Sequence, residues 1–297
     1  MLVLAVGLNF LNGSTADAWS SSASLICVIL AWGTASGVHF NPAATAASMC
    51  AGCGKRPPKK GAMNMMVQLL HGLCAASIYF AMKGPMTLQL KPDAHGWADV
   101  IAVELIPTLM PVLVVPSVVT VSSSSSQFFG FATGTCMTIG GCVIGKISEG
   151  SLYLGAYSGG GISMGCFNPA AALGIDVSSA LVGFVSRPIY TLFEVTGSAL
   201  AIAFYRIARL AEEKSKCKGL APLAAKLVSD FLGTPMLVVT VGINVMNDST
   251  AGAVLSAASF RCMIFALGSV FGVRFNPAAT VASMGAAGVL RKRVQCS

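Results

Sequence analysis

The triplet Asn-Pro-Ala occurs three times in this chain, at Asn41-Pro42-Ala43, Asn168-Pro169-Ala170 and Asn276-Pro277-Ala278, always inside apolar sequence. Asparagine is a favoured helix N-cap, and proline is favoured at the first helical position, where its missing N–H leaves nothing unpaired. Each triplet therefore predicts a helix start. A helix that starts inside apolar sequence carries unpaired N–H groups and the positive end of its dipole to that depth. In a bilayer such broken backbone survives only where protein buries it or where it lines a water-filled path. The chain must fold so that its helix starts are enclosed.

Composition establishes that the surroundings are a membrane. Hydrophobic residues make up 55% of the 297, charged residues only 10%, and the mean hydropathy is +0.75. Those values exclude a soluble domain with an evenly charged surface. The net charge of +8 does not imply a nucleic-acid partner, because the basic residues lie between apolar segments, as topology signals do. Most of the ten cysteines lie within apolar segments, where cysteine acts as a small hydrophobe. No metal-ligand cluster, nucleophile–base constellation or phosphate loop is apparent, so no enzyme activity, cofactor or metal is expected.

Taken in order, residues 1–11 form a short apolar piece of about 16 Å, half of a bilayer core of roughly 30 Å. A helix is expected over 20–38, a half-helix from Pro42 to about Cys53, then a basic break at Lys55 to Lys60 and a helix over 62–82. Further helices are expected at 97–120, with kinks at Pro107, Pro111 and Pro116, and at 127–147. A second half-helix follows from Pro169 to about Val177, then a helix at 180–206 and a charged linker at 206–218. Helices at 222–245 and 251–271 and a half-helix from Pro277 end the chain.

Residues 1–49 align without a gap to residues 236–284, with 29 of the 49 pairs identical. This is a direct repeat. With the amino terminus inside, the inner segments hold twelve Lys and Arg against four outside, which fits the positive-inside bias. Two glycosylation-type triplets, Asn12-Gly13-Ser14 and Asn247-Asp248-Ser249, then fall outside.

Gly37-Val38-His39-Phe40-Asn41-Pro42-Ala43-Ala44-Thr45 resembles the first pore loop of the aquaporin (major intrinsic protein) family. Ile162 to Gly174, which contains Asn168-Pro169-Ala170, resembles its second. Gln68, Gly72 and Ala75, then Glu104 with Thr108, then Gly197, Ala199, Tyr205 and Arg206, resemble the family's third, fourth and closing helices. The resemblance covers nearly the whole chain. It implies an all-α integral membrane fold, an aquaporin-like right-handed bundle of six membrane helices plus two re-entrant half-helices, here with an extra partial repeat. The division expected is a channel unit over 1–218, its first helix truncated, and a partial second unit over 219–297.

The resemblance implies a passive channel for water and small neutral solutes such as glycerol, possessing no catalytic residue and surrounded by membrane lipid in a homotetramer. Asn168 is one pore donor, and the other is Asn41 or Asn276. The short Lys55–Gly61 connection favours Asn41, because closing it costs little entropy. The family's outer constriction maps to Ser21, Gly165 and Ala171, with Ala156 or Cys142 as the remaining member. Ala171 stands where the family usually has arginine, and Ser21 where it often has an aromatic ring, so the expected mouth is wide. The family's membrane acids brace the pore-loop backbone, the role expected of Glu104 and Glu194. His39, replaced by Arg274 in the repeat, is expected to pack or hydrogen-bond. Cys50 and Cys53 have redox spacing, but glycine replaces both in the repeat, so small size is the requirement. Cys166 is the expected target of a thiol reagent. The competing readings are a non-conducting membrane scaffold or a fragment of a tandem aquaporin, and a secondary transporter with discontinuous helices.

Overall fold

The computed structural model describes residues 2–11, 16–36, 39–51, 57–84, 97–119, 129–141, 166–178, 187–216, 223–246, 250–271 and 275–284. Among these residues the fold is all-α. The helices are α1 (Leu2–Leu11), α2 (Asp17–Ser36), α3 (Pro42–Ala51), α4 (Pro58–Lys83), α5 (Trp97–Val119), α6 (Phe129–Ile139), α7 (Pro169–Ser178), α8 (Arg187–Lys216), α9 (Leu223–Met246) and α10 (Gly252–Phe271). A further helical run, 277–284, follows the third Asn-Pro-Ala. Within α4, α5 and α8, the segments Pro58–Met82, Val100–Ser117 and Pro188–Ala208 are long and apolar enough to cross a membrane.

Two boundaries differ from expectation. The charged stretch after Arg206 continues α8 to Lys216 instead of forming a linker. Its Leu, Ala, Glu and Lys are strong helix formers. Likewise α4 begins at Pro58, so Lys59 and Lys60 form its first turn. Proline at the helix start explains this, since its fixed φ suits the first turn. The three prolines of α5 are carried inside one continuous helix.

Packing shows why the half-helices are enclosed. Helices α1, α2, α6, α5 and α8 pack in sequence around a ring, which α4 extends by packing on α1. Inside lie α3 and α7. The contacts of α1–α4 recur in α5–α8: α1 packs on α2 as α5 packs on α6, and α1 on α4 as α5 on α8. In the same way α7 packs on α4 as α3 packs on α8. This is the signature of two related halves, each lending its short helix to the other.

The close approach of α4 to α7 depends on a missing side chain. A Cβ at Gly72 would lie 2.4 Å from the backbone oxygen of Ala170. The apolar core runs through the ring, with Val103, Met110, Leu113, Ala132, Ile139 and Tyr190 almost fully buried.

The direct repeat folds alike but sits elsewhere. In the first copy the Asn9 amide donates to Asp17 O at 3.3 Å and Ser21 Oγ at 3.3 Å. In the second the Asn244 amide donates to Gly252 O at 3.4 Å and Ser256 Oγ at 3.5 Å, at the matching positions. While α1 and α2 are ring members, α9 and α10 lie against the outside of α8, α5 and α6. Buried Leu255, Met263 and Leu267 of α10 join the main core there.

Candidate functional site

All three triplets start helices with the same cap. The Asn41 Oδ1 accepts from the N–H of Ala43 at 2.8 Å, Asn168 Oδ1 from Ala170 at 3.0 Å, and Asn276 Oδ1 from Ala278 at 2.9 Å. With each oxygen turned onto its own helix, each amide nitrogen is directed away from it.

The residue before each asparagine is a feature that the sequence reading missed. Phe40, Phe167 and Phe275 have φ of 41°, 46° and 45°. A bulky residue rarely adopts positive φ, and such strain, of order 1–3 kcal/mol, persists only where surroundings hold it. At Phe40 and Phe167 the turn aims the carbonyl across the site. The Asn41 amide donates to Phe167 O at 2.7 Å, and the Asn168 amide to Phe40 O at 3.0 Å. The two loops thus cross-link each other reciprocally. The signal available was the phenylalanine shared by all three Phe-Asn-Pro-Ala strings.

Several contacts hold this crossing. Glu104, wholly buried on α5, accepts from Cys166 N at 3.4 Å and Phe167 N at 3.2 Å. That brace spans the residue that carries the strain. Glu194 on α8 is also wholly buried, close to Glu104 and the Asn168 backbone. On the other half, Gln68 of α4 donates to Thr45 Oγ1 at 3.1 Å, and that hydroxyl donates to Asn41 O at 2.9 Å. His39 Nε2 lies 3.1 Å from Ser48 Oγ.

A cavity of about 30 Å³ lies at the crossing. Asn41, Asn168, His39 and Thr133 are among its lining, with Leu2, Leu25, Val115 and Met137 as apolar wall. That is room for about one or two water molecules. An asparagine amide has two N–H donors. One on each side is committed across the site, which leaves a second per amide for a guest. The positive ends of α3 and α7 meet at the same place, an arrangement that disfavours cations.

The structure brings Asn41, and not Asn276, to Asn168. Asn276, Pro277 and Ala278 are exposed on the outside of the ring. Phe275 anchors them from within, buried and edge-on to Phe260 at 6.2 Å between ring centres. A Cβ at Gly233 would fall 1.9 Å from the Phe275 ring, so α9 needs glycine there.

Of the constriction candidates, Ser21 is buried on α2, and Ala171 is buried in α7 against Val3, Ala75 and Tyr79. Gly165, Ala156 and Cys142 lie outside the described residues, as do Cys53 and both glycosylation-type asparagines. Cys166 is fully buried beside the brace, out of reach of a reagent from the surface. No group of three or more potential metal ligands occurs among the described residues.

The family model of the major intrinsic proteins matches residues 3–155. A curated protein, Aquaporin NIP2-3 of Zea mays, is 27% identical over 201 residues, covering 67% of this chain and 58% of that protein. The chain thus spans less than two thirds of that relative's length.

Proposed function

The chain belongs to the major intrinsic protein family, and on that premise we propose that it is a passive channel for water and small neutral solutes such as glycerol. It is an integral membrane protein crossing the bilayer several times. The observation that carries the proposal is the reciprocal crossing of Asn41 and Asn168 around a water-sized cavity. A guest oxygen takes hydrogen bonds from the second N–H of each amide, which offsets part of its lost hydration. The opposed dipole ends raise the energy of a cation at the same point. A neutral solute bears no such penalty. Ser21 and Ala171 are small, uncharged and packed inside the ring, so neither supplies a cationic constriction, which favours glycerol and urea beside water. The conducting unit is 1–218, and 219–297 is a partial second unit.

The test is stopped-flow light scattering on proteoliposomes challenged with water, glycerol and urea gradients. The expected result is swelling well above empty vesicles, with a low activation energy and no saturation. Flux that needs an ion gradient would indicate a transporter, and rates equal to empty vesicles a scaffold. The family resemblance further implies four copies per assembly, which the mass of the purified protein checks.

A further inference from the structure

Among the described residues the ring is open along one side, between α4 and α8. Helices α4 and α8 flank a lateral cleft of about 510 Å³ whose floor is made by the half-helices, through Pro42, Ala43, Ala46 and Pro169. Its α4 wall runs from Ala62 through Met66 and Leu70 to Leu73, and its α8 wall includes Thr191 and Val195. The lining is overwhelmingly apolar. An apolar cavity stays dry and takes apolar guests, and this one faces the bilayer, with Leu70 and Val195 exposed.

Length and charge together select the guest. From Ala62 to Leu73 the helix rises through eleven steps, about 16 Å. That is roughly half of a 30 Å hydrocarbon core, one leaflet's depth. At the Ala62 end each wall carries a cation. Lys59 lies three residues before Ala62, on the same face of α4, and is exposed. Arg206 lies eleven residues beyond Val195, three turns along the same face of α8, and its guanidinium donates to Cys50 O at the end of α3. The α3 end also reaches α4 there, because a Cβ at Gly61 would strike Met49. Lys59 and Arg206 therefore bracket the mouth of the cleft at one membrane face.

We propose that this cleft binds an anionic phospholipid, with an acyl chain against Pro42 and Pro169 and its phosphate between Lys59 and Arg206. The lipid closes the side of the ring that α4 and α8 leave open and supports both half-helices from behind. A zwitterionic lipid would fill the same space with a weaker hold, because juxtamembrane lysines favour anionic headgroups by about fivefold each. A second copy of this chain would cover the cleft without any preference among lipids.

The full-length protein is reconstituted in phosphatidylcholine vesicles containing a minor share of phosphatidylglycerol. It is then gently extracted, and the retained lipid is weighed by native mass spectrometry. Phosphatidylglycerol is expected to be enriched over its share in the vesicle. Lys59→Gln should lower that enrichment about fivefold, whereas Lys60→Gln, on a different face of α4, should lower it less. Leu70→Trp, which fills the cleft, should remove both lipids while thermal unfolding stays near that of the unaltered protein. Equal retention of both lipids overturns the proposal. So does enrichment untouched by Lys59→Gln, lipid retained by Leu70→Trp, or a dimer that carries no lipid.

Discussion

At Gly7 and Gly242 the direct repeat puts the same residue in two surroundings, and the contrast shows what holds the ring. A Cβ at Gly7 would lie 2.1 Å from the Tyr79 ring, which sits against α1 and donates to Val3 O. At Gly242, 235 residues later, nothing lies within 4 Å. Alanine is favoured over glycine in a helix by up to about 1 kcal/mol. Gly7→Ala is therefore expected to lower the melting temperature, and Gly242→Ala to leave it unchanged or raise it, as read by thermal unfolding in detergent. Glu104 gives a second test at this scale. Glu104→Gln keeps the size but turns an amide N–H toward the Cys166 or Phe167 N–H. Leaving a buried donor without its partner costs about 1–3 kcal/mol. The expected outcome is lower stability together with lower flux, since the strained Phe167 turn loses its brace.

Among the elements, the helix starts at Pro42, Pro169 and Pro277 were legible, because cap and proline act locally. So were α2, α5, α9 and α10 to within a few residues. The extension of α8 was not, because a cluster of charges resembles a break although those residues favour helix. Which asparagine meets Asn168 was legible only as a preference, from the short Lys55–Gly61 connection, and not from the triplets' own surroundings. Phe40–Thr45 and Phe275–Thr280 have identical sequences. The deciding contacts are tertiary: Gln68 and Thr45 on one side, and Phe275 against Gly233 on the other. The lateral cleft was equally hidden, because it exists only once α4 and α8 stand on either side of α3 and α7. One prediction belongs here. Every described residue lining the cavity at the crossing lies between Leu2 and Asn168. A chain ending at Lys218 should keep its flux per folded copy, measured by stopped-flow. It should melt at a lower temperature, because α10 no longer covers α5 and α6.

Among its described residues the whole molecule holds one assembled site and one unused copy of half of it. The ring encloses Asn41 and Asn168, and the outer packing of α9 and α10 leaves Asn276 with the same cap and the same strained phenylalanine but exposed. If conduction depends on the crossing, only two of three identical triplets should matter to it. Asn41→Ala, Asn168→Ala and Asn276→Ala, each compared with the unaltered protein at matched amounts in proteoliposomes, test this most directly. Loss of a cap alone costs about 1 kcal/mol, and all three variants share that loss. The account predicts that osmotic water flux falls toward that of empty vesicles in the first two and is unchanged in Asn276→Ala. Flux lost in Asn276→Ala and kept in Asn41→Ala would contradict it.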